Sequence, residues 1–273
     1  MKVVVGQSED PQGANAVADV VAQISGEIGR LSPKAGILFC SLDYDHGAVL
    51  RGLEEAFPGL ALIGCTTDGE MSSSLGFTED SLCLAVLCSD RVAFGVGQGG
   101  GVSTAGTAAG EQAARMAVEN LGADAQPRLA LILADPISAG TSGVDVGIKN
   151  VLGMDFPVFG GVSAAHSKKR TTSQFCNGVV GTDNVVLLLV GGPVEYSFGI
   201  KGGHTPLGPK KAVTRYDRNV LYRVGETTAY DYFRSAIGEN DLFMNFCLAV
   251  YEKGSDDYFV LSAPVSDSQA GTV

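Results

Sequence analysis

The chain is short of positive charge: 19 lysines and arginines stand against 30 aspartates and glutamates, a formal charge of −11. A phosphodiester backbone would be repelled from such a surface unless a local basic stripe compensated. The basic clusters are Lys168-Lys169-Arg170 and the smaller Lys210-Lys211, too little for a groove, so nucleic acid is not an expected partner. Long apolar runs are missing too. Residues 82–88 and 185–190 are strand-length, well below the roughly 20 residues that span a bilayer, and no membrane partner is expected. Residues 1–12 hold a three-valine run followed by Ser8-Glu9-Asp10-Pro11, without the basic flank and apolar core of a signal peptide. No Cys-x-x-Cys pair occurs. Cysteines 40, 65, 83, 88, 176 and 247 are scattered, mostly inside apolar strands, which reads as buried reduced thiols in a cytoplasmic protein.

Catalytic signatures are equally thin. His46, His166 and His204 are too far apart for a spaced metal set, so no metal is expected. Ser163 and His166 lie close, with Asp155 upstream, but no Gly-x-Ser-x-Gly elbow frames them. Gly95-x-Gly97-x-x-Gly100 follows a strand and precedes a helix, where a dinucleotide fingerprint belongs. Asp135 comes 40 positions after Gly95, however, against a usual spacing of about 20, and the helix is predicted to begin only at Thr104. This glycine run therefore reads as a structural turn, and no cofactor is expected.

What is present is glycine, 37 residues of 273, well above an average share of about 7%. Much of it falls at the ends of apolar strands. Residues 2–5 predict a strand that breaks at Gly6, and Ala14, Val17, Ala18, Val21, Ile24, Ile28 and Leu31 a helix. A strand at 36–40, a helix carrying Val49, Leu50, Leu53, Ala56 and Phe57, and a strand at 61–65 follow. Residues 81–87 and 92–96, separated by four residues, predict an antiparallel hairpin. The order then recurs: helix 104–121, strand 129–134, a helix capped by Thr141 or Ser142 with Val144, Ile148, Val151 and Leu152, and a strand ending in Gly160-Gly161. An Asn177-Gly178 turn comes next, and strands at 184–190 and 194–200 repeat the paired strands. Gly64 and Gly160 are 96 positions apart, Asp80 and Asp183 103.

The predicted fold is therefore α/β: an internally duplicated domain with mixed β-sheets and outer helices in αββα-like layers, residues 1–215. One continuous doubly wound sheet is the alternative. Residues 216–273 predict the start of a second α/β domain, with a strand at 220–224, a helix ending at Gly238, and strands from Phe243 and Tyr258 onward, cut short at Val273.

Ligands of α/β proteins commonly meet the carboxyl ends of strands. That places a polar cleft at Cys65, Thr66, Asp68, Gly160, Gly161 and Ser163, with Asn177 and Arg215 as more distant members. Glycines expose amides there, while hydroxyls and a guanidinium can orient a zwitterion. Lys168, Lys169 and Arg170 could hold an anionic group nearby. The plainer reading is that the glycines let two halves pack closely and the basic cluster is a solvated loop.

These residues resemble the FIST family, sensory domains of bacterial signalling proteins. The likeness runs through residues 39–45, Ile63-Gly64-Cys65-Thr66-Thr67-Asp68-Gly69-Glu70, Phe159-Gly160-Gly161, Phe175-Cys176-Asn177-Gly178, residues 183–192 and Val213-Thr214-Arg215. Residues 30–215 look like the family's N-terminal part, and those from 216 like the start of its C-terminal part. Where the family often follows its double glycine with an Ala-Gly-Asp-like step, this chain has Val162-Ser163-Ala164-Ala165-His166. The resemblance implies a non-catalytic sensor for small molecules such as amino acids, acting with a signalling partner protein. An enzyme on the same scaffold, nucleotide-dependent or hydrolytic, and a pure interaction scaffold are the alternatives.

Overall fold

A computed structural model describes residues 1–136, 143–164, 171–199, 203–217, 220–238, 246–262 and 266–273. The chain divides into two compact units, Met1–Tyr196 and Ser197–Val273.

The first unit contains one run of elements and then the same run again. The first run is β1 (Lys2–Ser8), α1 (Gly13–Ile28), β2 (Pro33–Ser41), α2 (His46–Ala56), β3 (Ala61–Thr67), β4 (Glu70–Ser72), β5 (Gly76–Thr78) and β6 (Leu82–Cys88). The second is β7 (Ala93–Gly100), α3 (Val102–Leu121), β8 (Pro127–Ala134), α4 (Val144–Leu152), β9 (Val158–Val162), β10 (Gln174–Cys176), β11 (Val179–Gly181) and β12 (Asn184–Gly191). Strand order repeats as well: β1-β6-β2-β3 in one sheet and β7-β12-β8-β9 in the other. In both, the last of these pairs is parallel and the others are antiparallel. The first sheet then continues into β10 and β11, which the second half of the unit supplies.

Strand alternation sorts the apolar residues into three cores. Val185, Leu187 and Leu189 of β12 face α3 and α4, whereas Val186 and Leu188 face the other sheet. Leu82, Leu84 and Val86 of β6 likewise join the α1 and α2 core, while Leu87 joins the core between the sheets. The result is four layers, helices outside and mixed sheets packed face to face, as the predicted fold class has it. Because β12 is central and covered on both faces, its sequence is a nearly unbroken apolar run.

Four sequence expectations change. Residues 81–87 and 92–96 form no hairpin: β6 lies between β1 and β2, and β7 pairs with β12 in the other sheet. The link between them crosses from sheet to sheet. Stacked sheets lie about 10 Å apart, a span that four extended residues cover as readily as they turn a hairpin. Residues 194–199 form no strand, and Ile200 is outside the described residues. β1 runs through Gly6 to Ser8 rather than stopping. Finally, Gly95, Gly97 and Gly99 are in β7 itself, not in a turn. A Cβ on each would stand 2.2, 2.0 and 1.9 Å from the carbonyl oxygens of Ala117, Ala113 and Ala109. The glycines are the seat of α3 on its sheet. Thr141 and Ser142 are outside the described residues, and Gly143, at φ 71°, is the N-cap of α4.

In the second unit β13 (Val213–Asp217), β14 (Val220–Val224) and β15 (Thr227–Thr228) form an antiparallel sheet. Thr228 caps α5 (Ala229–Ile237) by accepting the Asp231 amide at 3.1 Å. The strands β16 (Cys247–Tyr251) and β17 (Tyr258–Ser262) pair as a hairpin, and Phe243 is outside the described residues. Val273 exchanges both main-chain hydrogen bonds with Leu221 of β14, at 2.8 and 3.1 Å. Among the described residues no helix is long and apolar enough to cross a membrane.

Candidate functional site

The carboxyl ends of β3 and β9 meet. Ala164 donates its amide to the Thr66 carbonyl at 2.9 Å, which ties the end of the second sheet to the end of the first. Thr66 is fully buried: its amide donates to Ser173 O at 2.9 Å, and its hydroxyl accepts the Ser173 amide at 3.0 Å. Ser163 is buried as well, its hydroxyl donating to Ala134 O at 3.1 Å and accepting from Gln174 Nε2 at 2.7 Å. Gln174 also donates to Thr172 Oγ1, which passes a hydrogen bond to Asp135 Oδ2 at 2.9 Å. Thus the chain at Ser163-Ala164 comes up against Thr66, with the Thr66 hydroxyl occupied by Ser173 within the first sheet and the Ser163 hydroxyl by Gln174 across the two sheets.

Cys65 faces the core between the sheets, where burial first, and the Glu70 carboxylate second, push its thiol up to about 12. It is a neutral core group. Asp68 follows β3 and is exposed. Gly160 and Gly161 are in β9, the outermost strand of its sheet among the described residues, and both are exposed. A Cβ on Gly160 would stand 1.9 Å from Ile132 O, whereas one on Gly161 would meet nothing within 4 Å. Neither glycine has a positive φ.

Asn177 is elsewhere. Its amide and side-chain oxygen take the Leu62 carbonyl and amide at 2.8 and 3.1 Å, at the opposite end of β3 from Asp68. With φ at 51° it forms the turn between β10 and β11, a structural duty. Arg215 belongs to β13 in the second unit, with its guanidinium 4.7 Å from the Tyr222 ring centroid. His166, Lys168, Lys169 and Arg170 lie outside the described residues. His46 bonds Ser41 O at 3.0 Å and packs its ring 5.0 Å from that of Phe175.

A second polar cluster escaped the sequence reading. Glu70, 2% exposed, accepts the Ser81 amide at 3.1 Å, the Ser81 hydroxyl at 2.6 Å and the Thr67 hydroxyl. Gln7 Nε2 donates to Thr78 Oγ1 at 2.5 Å, and Thr78 in turn donates to Ser81 Oγ at 2.7 Å. Every proton in this chain points toward the Glu70 carboxylate. The available signal was a polar residue in an otherwise apolar strand, Gln7 after Val3-Val4-Val5-Gly6, and Gln174 before Phe175-Cys176. A hollow of about 400 Å³ along α3 is lined by Ala108, Glu111, Gln112, Arg115, Met116 and Glu119, none of them an expected site residue. Among the described residues no cluster of His, Cys, Asp and Glu could hold a metal.

Four layers of helix and mixed sheet, with strand ends cross-tied by polar side chains, define an α/β protein of the αββα kind. The chain belongs to the FIST family: the model of the FIST N domain, a sensory domain of signalling proteins, matches residues 34–227. No curated protein matches it. Among solved structures it is similar to a cyanuric acid hydrolase from A. caulinodans, at 12% identity and a TM-score of 0.38 over 72% of this chain and 68% of that one. A second cyanuric acid hydrolase is similar at 12% identity and a TM-score of 0.37, over 69% of this chain and 67% of that one.

Proposed function

We propose that the chain is a non-catalytic, cytoplasmic sensory module that binds a small amino-acid-like ligand at the joined ends of β3 and β9 and acts with a signalling partner. The observation that carries this reading is the Ala164 to Thr66 hydrogen bond. It brings the two glycine-bearing strands to one place, with Asp68 and Gly161 exposed at their ends. Main-chain groups beside Gly161 would take the carboxylate of such a ligand, and Asp68 its ammonium. Membership of a sensory family supports the same reading.

Among the described residues here, neither Ser163 nor Cys65 is set up as a nucleophile. The Ser163 hydroxyl donates to a carbonyl rather than to a base, and the Cys65 thiol stays protonated at neutral pH.

The test is a thermal-shift screen of amino acids followed by calorimetry. A ligand at 100 times its Kd adds about 2.7 kcal/mol of apparent stability. Asp68→Ala is expected to abolish the shift, and its ligand-free melting temperature is compared with that of the wild type to separate lost binding from lost fold. A bound amino acid whose affinity survives Asp68→Ala in a folded protein would remove the site from these strand ends. Turnover of the ligand would remove the non-catalytic reading.

A further inference from the structure

The two halves of the first unit match residue by residue at their hairpins. Asp80 and Asp183 both take left-handed backbone, at φ 54° and 56°. The amide of the residue after each goes to a buried side chain: Ser81 to Glu70 Oε2, Asn184 to Gln174 Oε1, both at 3.1 Å. Glu70 opens β4 as Gln174 opens β10, so Met71 corresponds to Phe175. Their cross-strand partners, Phe77 and Val180, correspond in turn.

The third strands match as well. Gly64 is the register partner of Leu38 and Gly160 that of Ile132, and a Cβ on either would stand 2.5 or 1.9 Å from the partner's carbonyl oxygen.

The two hairpins then part company. The β10–β11 hairpin covers the edge of β3 antiparallel, with Gln174 opposite Cys65, Phe175 opposite Gly64 and Cys176 opposite Ile63. Phe175 is fully buried there, and a Cβ on Gly64 would stand 2.9 Å from its ring. Among the described residues the β4–β5 hairpin pairs only with itself, leaving Met71 78% and Phe77 63% exposed. The matching edge, β9, is last in its sheet among the described residues, and Gly160, Gly161 and Val162 are exposed.

We infer that β9 receives the β4–β5 hairpin of a second copy of this chain, with Met71 seated over Gly160 as Phe175 is seated over Gly64. Glu70 then stands opposite Gly161 and Ser72 opposite Phe159, in the register that β10 and β3 display. A sheet edge is a template for another strand, and a glycine leaves a depression that a large cross-strand side chain fills. Donor and acceptor are different surfaces of one chain, so the contact is head-to-tail and generates a ring or a growing array. Pairing along β9 engages the main chain beside Gly161 that the proposed ligand site also uses, so a docked hairpin and a ligand at that place exclude one another, and the association is tested in ligand-free protein.

Sedimentation velocity of the full chain from low to high micromolar concentration tests it, with Met71→Asp and Val162→Asp as variants. The wild type is expected to associate as concentration rises, and each variant to weaken association by at least about tenfold. Met71 is solvent-facing, so the melting temperature of Met71→Asp is expected to equal that of the wild type. A photo-crosslinking amino acid at position 77, in a mixture of isotopically light and heavy copies, is expected to join one copy to residues 158–164 of another. A wild type that stays monomeric throughout overturns the proposal. So do assemblies that both variants leave intact, or cross-links that land within one copy, which would put another segment of the same chain against the hairpin.

Discussion

The carboxylate of Glu70 accepts both the amide and the hydroxyl of Ser81, at 3.1 and 2.6 Å, in a place only 2% exposed. Glu70→Ala removes the acceptor and leaves a buried amide and two hydroxyls without it, a cost of about 1–3 kcal/mol. Glu70→Gln keeps an oxygen for the Ser81 amide, as Gln174 does for Asn184, and is expected to lose clearly less. Urea midpoints at unchanged m-value distinguish the two. Equal losses would mean that the charge, not the acceptor, is what this cluster needs.

Glycines in β3 and β9 differ in what they tolerate. A Cβ on Gly64 would lie 2.5 Å from Leu38 O and 2.9 Å from the Phe175 ring, so Gly64→Ala is expected to destabilise by about 1–3 kcal/mol through overpacking. Gly161→Ala meets open space at an ordinary φ and is expected to stay within about 0.5 kcal/mol of wild type. Thermal denaturation of both, side by side, checks the contrast.

Asp183 holds the start of α3 from a distance in sequence. Its carboxylate takes the Ser103 amide at 2.7 Å and the Ser103 hydroxyl at 2.8 Å, while its carbonyl takes the amides of Gly101 and Val102. Asp183→Ala loses a cap of about 1 kcal/mol and places a β-branchless but chiral residue at φ 56°, costing about 1 kcal/mol more. Asp183→Asn, which retains an acceptor and tolerates left-handed backbone, is expected to be milder. A loss for Asn as large as that for Ala would show that the charge dominates.

The buried thiols predict an alkaline limit. Burial first and then the Glu70 charge raise Cys65 to about 12 and Cys83 to about 11, burial alone raises Cys176 to about 11, and Cys40 is raised further, mainly by burial. Unfolded thiols ionise near 9.0, so above that pH the folded state binds more protons than the unfolded one. Stability is therefore full below about pH 9 and falls as pH rises through the folded values, by up to about 1.4 kcal/mol per pH unit for each such thiol. Cys176→Ala is expected to make the decline between pH 9 and 11 shallower, whatever it does to stability at pH 7. A slope identical to that of the wild type would disprove the linkage. In native protein at pH 8, a thiol reagent is expected to label exposed Cys247 long before the five buried cysteines.

Much of the fold was legible because its elements are locally amphipathic or locally apolar. Ala16, Val17, Val20 and Ile24 form one helix face, and the recurrence of Gly64 at Gly160 and of Asp80 at Asp183 follows from positions that only glycine or a left-handed polar residue fills comfortably. The site was legible only in outline. The chain at Ser163-Ala164 does come up against Thr66, but a hydroxyl in a sequence does not reveal whether it faces a ligand or, as here, Ser173 and Ala134. Asn177, a more distant member of the expected cleft, stands in the turn between β10 and β11 and bonds Leu62, a partner that sequence order alone does not bring near.

By itself the sequence determined the helices, most of the strands, their twice-repeated order and the layers that burial demands, because periodicity and punctuation act over a few residues. Tertiary structure alone decided which strand lies beside which. The four-residue link after Cys88 could turn back or cross over, and it crosses because β6 is already flanked by β1 and β2 while β7 offers its glycine face to α3. It also decided that the hairpin of the second half covers the edge of the first, since pairing between strands more than a hundred residues apart depends on edge groups that every strand possesses alike.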